Sequence, residues 1–159
     1  MYEQDSLSYN SKYPSKVTDN IFQGGFYCAE QEDNLKKLGI THILVAGCYL
    51  KDNFPNSFKY FKLDVMDIES EDLSKHFDKV YEFINSCIEN NGKILIHCAA
   101  GISRSSTCTL VYLIKKEKMS FDKGLELIRK GRACAWPNNG FTKQLKIWEE
   151  KCRKEENKN

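Results

Sequence analysis

Lys93-Ile94-Leu95-Ile96-His97-Cys98-Ala99-Ala100-Gly101-Ile102-Ser103-Arg104-Ser105-Ser106 is the stretch on which the fold turns. Its opening residues form a short apolar run with the length and β-branched content of a buried strand. The run breaks at a cysteine, crosses small residues and a glycine, and from Arg104 takes helical spacing, with Leu110, Val111, Leu113 and Ile114 apolar. A strand, a tight loop and a helix start make an anion site out of backbone. Successive loop N–H groups can converge as a nest, and the first helical turn adds free N–H groups and the positive end of its dipole. Ala99, Ala100, Gly101 and Ser103 are small enough to let an anion reach the backbone, Ile102 lies between them, and Gly101 tolerates φ > 0. Arg104 adds a fork that grips two oxygens of a tetrahedral oxyanion. Cys98 sits at the strand end beside the same bowl, where N–H groups and Arg104 favour a nucleophilic thiolate. Ser105 sets a hydroxyl within reach of the sulfur.

The chain of 159 residues fits one domain. Hydrophobic residues make up 41% and charged residues 29%, as in ordinary globular proteins, and a net charge of +2 gives no reason to expect nucleic-acid binding. Asp64, Asp67, Glu69, Glu71, Asp72 and Asp78 cluster before the loop, and Lys115 to Arg132 is mostly basic; both read as solvated surface. The seven cysteines are odd in number, irregular in spacing and without a Cys-x2-Cys pair. The opening Met1-Tyr2-Glu3-Gln4-Asp5 is polar and acidic rather than secretory, and no run approaches transmembrane length. The expectation is a cytoplasmic or nuclear protein with reduced thiols, no zinc site, no cofactor and no membrane anchor.

Residues 1–16 read as a flexible lead-in, 17–154 as the domain and 155–159 as a charged tail. Val17 to Gly25 reads as a short strand pair, or a strand ending at Gly24-Gly25. Ala29–Leu38 reads as a helix, and Thr41–Gly47 and Phe58–Val65 as strands. Leu73, Phe77, Val80, Tyr81, Ile84, Cys87 and Ile88 predict a helix stopped at Asn91-Gly92. Further helices are expected from Arg104 to Lys116, from an N-cap at Ser120 to Gly131, and from Gly140 to Lys154. Helices alternating with apolar strands imply an α/β fold with a mostly parallel, buried central sheet.

His97 to Ser105 resembles the signature loop of the protein tyrosine phosphatase superfamily, His-Cys-x2-Gly-x2-Arg-Ser/Thr, and is most similar to its form in the dual-specificity (VH1-like) phosphatases. Asn20-Ile-Phe-Gln-Gly resembles the opening strand of that family, Leu35 to Leu44 its helix-to-strand step, and Trp136 to Leu145 the entry to its last helix. With no rhodanese-like domain in the chain, the resemblance is to the small, atypical group. It implies a central sheet of about five strands. It also implies a metal-independent phosphatase that hydrolyses phosphotyrosine and phosphoserine/phosphothreonine through a thiophosphate on Cys98, with a phosphorylated protein as partner and a monomeric state.

The resemblance also assigns roles. Residues 99–104 bind the phosphate, and an aspartate after the strand preceding the long helix acts as general acid. Asp67 is preferred over Asp64, which still lies within the strand pattern. His97 supports the thiolate, Ser105 stabilises it when it leaves, and Asn138 braces the loop. Met66, Phe22 and Trp136 are read as core packing, with the mouth of the site as the alternative. Superfamily relatives acting on phosphoinositides often carry lysine at the variable loop positions, and those acting on RNA 5′ ends polar or aromatic residues with basic surroundings; here Ala99, Ala100, Ile102 and Ser103 are neutral, and a phosphoinositide or an RNA 5′ end stands as the alternative to a protein substrate. Phospho-binding pseudophosphatases usually lose the Cys, the Arg or the Asp, and here all three are present.

Overall fold

The structure, a computed structural model, describes residues 11–158. Strand β1 (Ser15–Lys16) leads to β2 (Ile21–Gly24), then to helices α1 (Phe26–Ala29) and α2 (Glu32–Lys37), and to strands β3 (His42–Ala46) and β4 (Lys59–Leu63). One turn of 3-10 helix (Ser74–His76) opens α3 (Phe77–Glu89); then come β5 (Ile94–His97), α4 (Arg104–Lys115), α5 (Phe121–Gly131) and α6 (Asn139–Asn157). The five strands lie in the order β1-β2-β5-β3-β4, parallel except for the β1–β2 pair.

Strand β5 holds the centre because every one of its residues is buried. Its side chains alternate between two cores. Ile94 and Ile96 join Leu44, Ala46, Leu110, Phe141 and Trp148 on the face covered by α3 to α6. Leu95 joins Ile43, Val45, Cys28 and Leu35 on the face covered by α1 and α2. Period-two alternation with both sides apolar is what a doubly covered parallel strand requires. Register then sets the site: Gly24 and Val45 both pair with His97, so β2, β5 and β3 end at one level. Loops following the carboxyl ends of parallel strands gather there.

Helix α4 carries four serines and threonines, Ser105 to Thr107 and Thr109, all buried. Each of Ser106, Thr107 and Thr109 donates to the carbonyl four residues earlier, and the fully buried Gln23 joins Ser106 and Thr109 at 2.8 Å each. A polar seam is thereby satisfied directly behind the loop.

Three boundaries differ from expectation. The lead-in over 1–16 lies in part outside the described residues, but Ser15 and Lys16 pair with Gln23 and Phe22 as an edge strand, and Ser11 and Pro14 are buried. The open edge of β2 takes up this short polar segment, which composition disguised. The helix expected over Ala29–Leu38 is two pieces, because Gln31 (ψ 74) leaves the helical region. The last helix runs on to Asn157, its end held by the Lys118–Glu156 pair at 2.8 Å, so most of the expected tail is helical. Among the described residues no helix is long and apolar enough to cross a membrane.

Candidate active site

The loop of residues 98–103 leaves β5 and enters α4, and its carbonyls are held from outside. Ala99 O accepts from Phe26 N–H (3.0 Å), Ala100 O from Arg132 Nη2 (3.0 Å), Gly101 O from Arg132 Nε (2.7 Å) and Ile102 O from Trp136 N–H (2.8 Å). In a trans peptide, C=O and the following N–H point in opposite directions. With four successive carbonyls held outward, the N–H groups of residues 100–103 face the concave side. Among the described residues, none of the N–H groups of residues 99–103 donates to a protein acceptor. Gly101 makes the curvature possible: its φ is +69, and a Cβ there would stand 2.5 Å from Arg132 Nη2 and 2.6 Å from the Gly24 carbonyl carbon.

Cys98 is buried at the strand end, with Sγ 3.2 Å from Ser105 Oγ. As a thiol it donates to that oxygen; once ionised it accepts from the hydroxyl. Arg104 Nη1 donates to Val65 O (3.1 Å), while its buried Nε has no partner. One arm of the guanidinium is anchored two residues beyond β4, and the Nε edge is left without a protein partner. Gly47 permits this, since a Cβ there would lie 2.9 Å from Arg104 Nη1.

Asp67 lies on the exposed loop after β4, and its Oδ1 accepts from Asn138 Nδ2 (2.9 Å). Asn138 also caps α6, its Oδ1 accepting from Phe141 N–H, and its own N–H donates to Ser103 Oγ, both at 2.9 Å. One asparagine therefore ties the carboxylate to the anion loop. Gln144 holds the same acidic loop by accepting from Leu73 and Ser74 N–H and donating to Glu71 O (2.8 Å), and Gly140 packs against the Glu69 backbone. Asp64 lies beside Cys48, whose thiol is pushed up by desolvation first and by Asp64 second.

His97 is buried, its Nδ1 is 3.3 Å from Cys98 O, and its Nε2 has no partner. Burial drives its pKa down to about 4, so the ring is neutral at physiological pH. Burial likewise pushes the Cys28 thiol up to about 12 and raises that of Cys108.

The structure thus brings His97, Cys98, residues 99–104, Ser105 and Asp67 to one end of the sheet. Two residues outside that set complete it. Arg132, read with its basic neighbours as solvated surface, is 1% exposed, donates to two loop carbonyls and to Ser15 Oγ, and has no carboxylate partner among the described residues. Gln23 forms the seam beneath. No periodicity marks either one: Arg132 is the residue after a helix end and Gln23 sits in an apolar strand. Of the three residues read as core, Phe22 is buried, whereas Met66 (51%) and Trp136 (55%) are exposed. Met66 follows β4 beside Asp67, and Trp136 donates its N–H to Ile102 O while its ring lies 5.3 Å from the Arg129 guanidinium carbon, so neither is core packing.

Residues 21–151 match the family described as dual specificity phosphatase, catalytic domain. The chain is 39% identical over 135 residues to dual specificity protein phosphatase 1B of Arabidopsis thaliana, covering 85% of this chain and 81% of that one. It is 37% identical over 139 residues to a probable rhodanese domain-containing dual specificity protein phosphatase of Dictyostelium discoideum, covering 87% of this chain and 29% of that one. Among solved structures, it is similar to the human tyrosine phosphatase-like serine/threonine/tyrosine-interacting protein, with a TM-score of 0.84, 30% identity, and 86% and 95% of the two chains covered.

Proposed function

The chain belongs to the dual-specificity phosphatase family and is a cysteine-dependent protein phosphatase, and from that premise we propose how its residues divide the reaction. The carrying observation is the loop whose carbonyls are all held outward, because it leaves a bowl of N–H donors with Arg104 Nε at its edge. A phosphomonoester dianion repels a nucleophile until its charge is met, and preorganised donors meet it most strongly at the transition state. Cys98 Sγ attacks phosphorus, an S–P bond forms, and the P–O bond to the serine, threonine or tyrosine oxygen breaks. Asp67 delivers its proton to that departing oxygen. A water then attacks the thiophosphate, Asp67 takes the proton of that water, and the S–P bond breaks. Ser105 donates to the thiolate that leaves, which suits the 3.2 Å separation.

The neutral His97 contributes no charge at neutral pH. In this reading it fixes the carbonyl of Cys98 and fills the strand end rather than transferring a proton. Arg132 acts through the loop: it orients the Ala100 and Gly101 peptides, and its buried, unpaired charge is answered by the anion the loop receives.

Turnover of an aryl phosphate by the Cys98→Ser variant tests the division. Hydrolysis is expected to vanish while the loop still binds tungstate by calorimetry. Wild-type turnover in that variant would remove covalent catalysis.

A further inference from the structure

The peptide between Val65 and Met66 is gripped from both sides. Its carbonyl accepts from Arg104 Nη1 and from Cys48 N–H, both at 3.1 Å. Its N–H donates to Glu71 Oε1 at 2.8 Å. In a trans peptide these two groups point in opposite directions. The guanidinium of the anion site and the Glu71 carboxylate therefore stand at opposite ends of one peptide dipole. A cation at the oxygen and an anion at the hydrogen polarise that peptide in the same sense, and such charge-assisted bonds are the stronger kind. Asp67 is the next residue after Met66.

Glu71 is itself fixed. Its N–H donates to Ile68 O at 3.1 Å, which closes a turn, and its carbonyl accepts from Gln144 Nε2 at 2.8 Å. Helix α6 meets the same turn at Gly140, where a Cβ would stand 2.9 Å from the Glu69 Cα. The reach of Glu71 back to Met66 thus ties residues 66–71 into a ring that carries Asp67, and the ring is seated on α6. Met66, Asp67 and Ile68 are all exposed, whereas Glu71 is half-buried. Packing does not set the direction in which Asp67 leaves the chain; hydrogen bonds do. Asn138 holds its carboxylate, and Glu71 holds the peptide that precedes it. The neighbouring Asp72 serves elsewhere, accepting from Ser74 Oγ at the start of the 3-10 turn. Glu71 is thereby singled out from a run of acids that composition treats alike.

We propose that Glu71 is a positioning residue: through the Val65–Met66 peptide its carboxylate aims the turn that presents Asp67 to the departing oxygen, and locks that turn to the arginine of the anion site. Glu71 transfers no proton. The inference rests on Asp67 as the general acid and names the residue that orients it.

The test is a set of four proteins, wild type, Glu71→Ala, Asp67→Asn and the double variant, each assayed on a phosphotyrosine peptide and on a strongly electron-withdrawn aryl phosphate. Glu71→Ala should lower kcat on the peptide by ~10-fold, part of the ~10²–10⁴-fold that the acid itself supplies, with a far smaller loss on the activated substrate. KM for the peptide should change little, because the anion loop is untouched. Glu71→Gln, which still offers an oxygen to Met66 N–H, should recover most of the loss. In the Asp67→Asn background, Glu71→Ala should add no further loss on either substrate, since it acts through Asp67. Equal losses on the two substrates, full peptide turnover in Glu71→Ala, or an undiminished further loss in the double variant would overturn the positioning role and leave Asp67 as the acid. An Asp67→Asn variant that slowed both substrates equally would instead strike the assignment of the acid, and the inference with it.

Discussion

The two loops to which the proposed reaction assigns its chemistry are held in opposite ways. The anion loop, residues 98–103, is backed by buried groups: Arg132, Gln23 and the hydroxyl seam of α4. The acid loop after β4 is exposed and hangs on side chains of one helix, chiefly Asn138 and Gln144. The contrast fits their tasks. Charge stabilisation needs donors that do not reorganise during reaction, whereas a proton donor must follow a substrate oxygen and later meet a water. Damage to the first loop should therefore hurt every substrate alike, and damage to the second only those that need a proton.

The largest effect should come from the exposed loop. Asp67→Asn is expected to cut kcat on phosphotyrosine peptides by ~10²–10⁴-fold, the span of acid–base catalysis. The leaving phenol has a pKa of about 10, so it needs the proton; a strongly electron-withdrawn aryl phosphate should lose far less. A Brønsted series over leaving groups checks this, and a steeper slope in Asp64→Asn with Asp67→Asn unchanged would reverse the assignment.

Arg104→Lys should sharpen the contrast from the other side. It keeps charge but loses the fork, so activated and unactivated substrates should both slow by ~10²–10³-fold, the cost of one oxyanion donor. A loss confined to poor leaving groups would erase the distinction between the loops.

The rigid side should also show in stability against pH. The folded pKa of His97, near 4, lies below its ordinary 6.5. The unfolded chain therefore binds more protons between these values. The contribution is full above pH 6.5 and is lost as pH falls through 4, about 3 kcal/mol in all. Urea midpoints of the wild type should fall across that window, and His97→Asn should flatten most of the slope. A smaller part remains with His42, whose pKa desolvation also lowers. An unchanged slope would mean that His97 is not held neutral by burial.

The smallest effect belongs to the tether between the loops. Asn138→Ala removes an N-cap worth about 1 kcal/mol in thermal denaturation. It also frees Asp67, so kcat on phosphotyrosine should fall more than kcat on an activated aryl phosphate. Equal losses on both would make Asn138 a cap and nothing more.

What was legible beforehand was local. The apolar run into Cys98, the small residues around Gly101, the fork of Arg104 and the capping residue Ser120, which accepts from Lys123 N–H at 3.2 Å, lie within a few residues of what they organise. The apolar runs of β3 and β5, set between helical stretches, decided the class of fold for the same reason. Tertiary structure decided everything that depends on partners far along the chain. Arg132 meets Gly101 across 31 residues, Asn138 meets Asp67 across 71 and Gln23 meets Ser106 across 83. A buried arginine, a tethered carboxylate and an exposed tryptophan are written with the same letters as surface charge and core aromatics. Residue type sets what a side chain can bond to, but only the folded neighbourhood sets whether it meets carbonyls, a carboxamide or water.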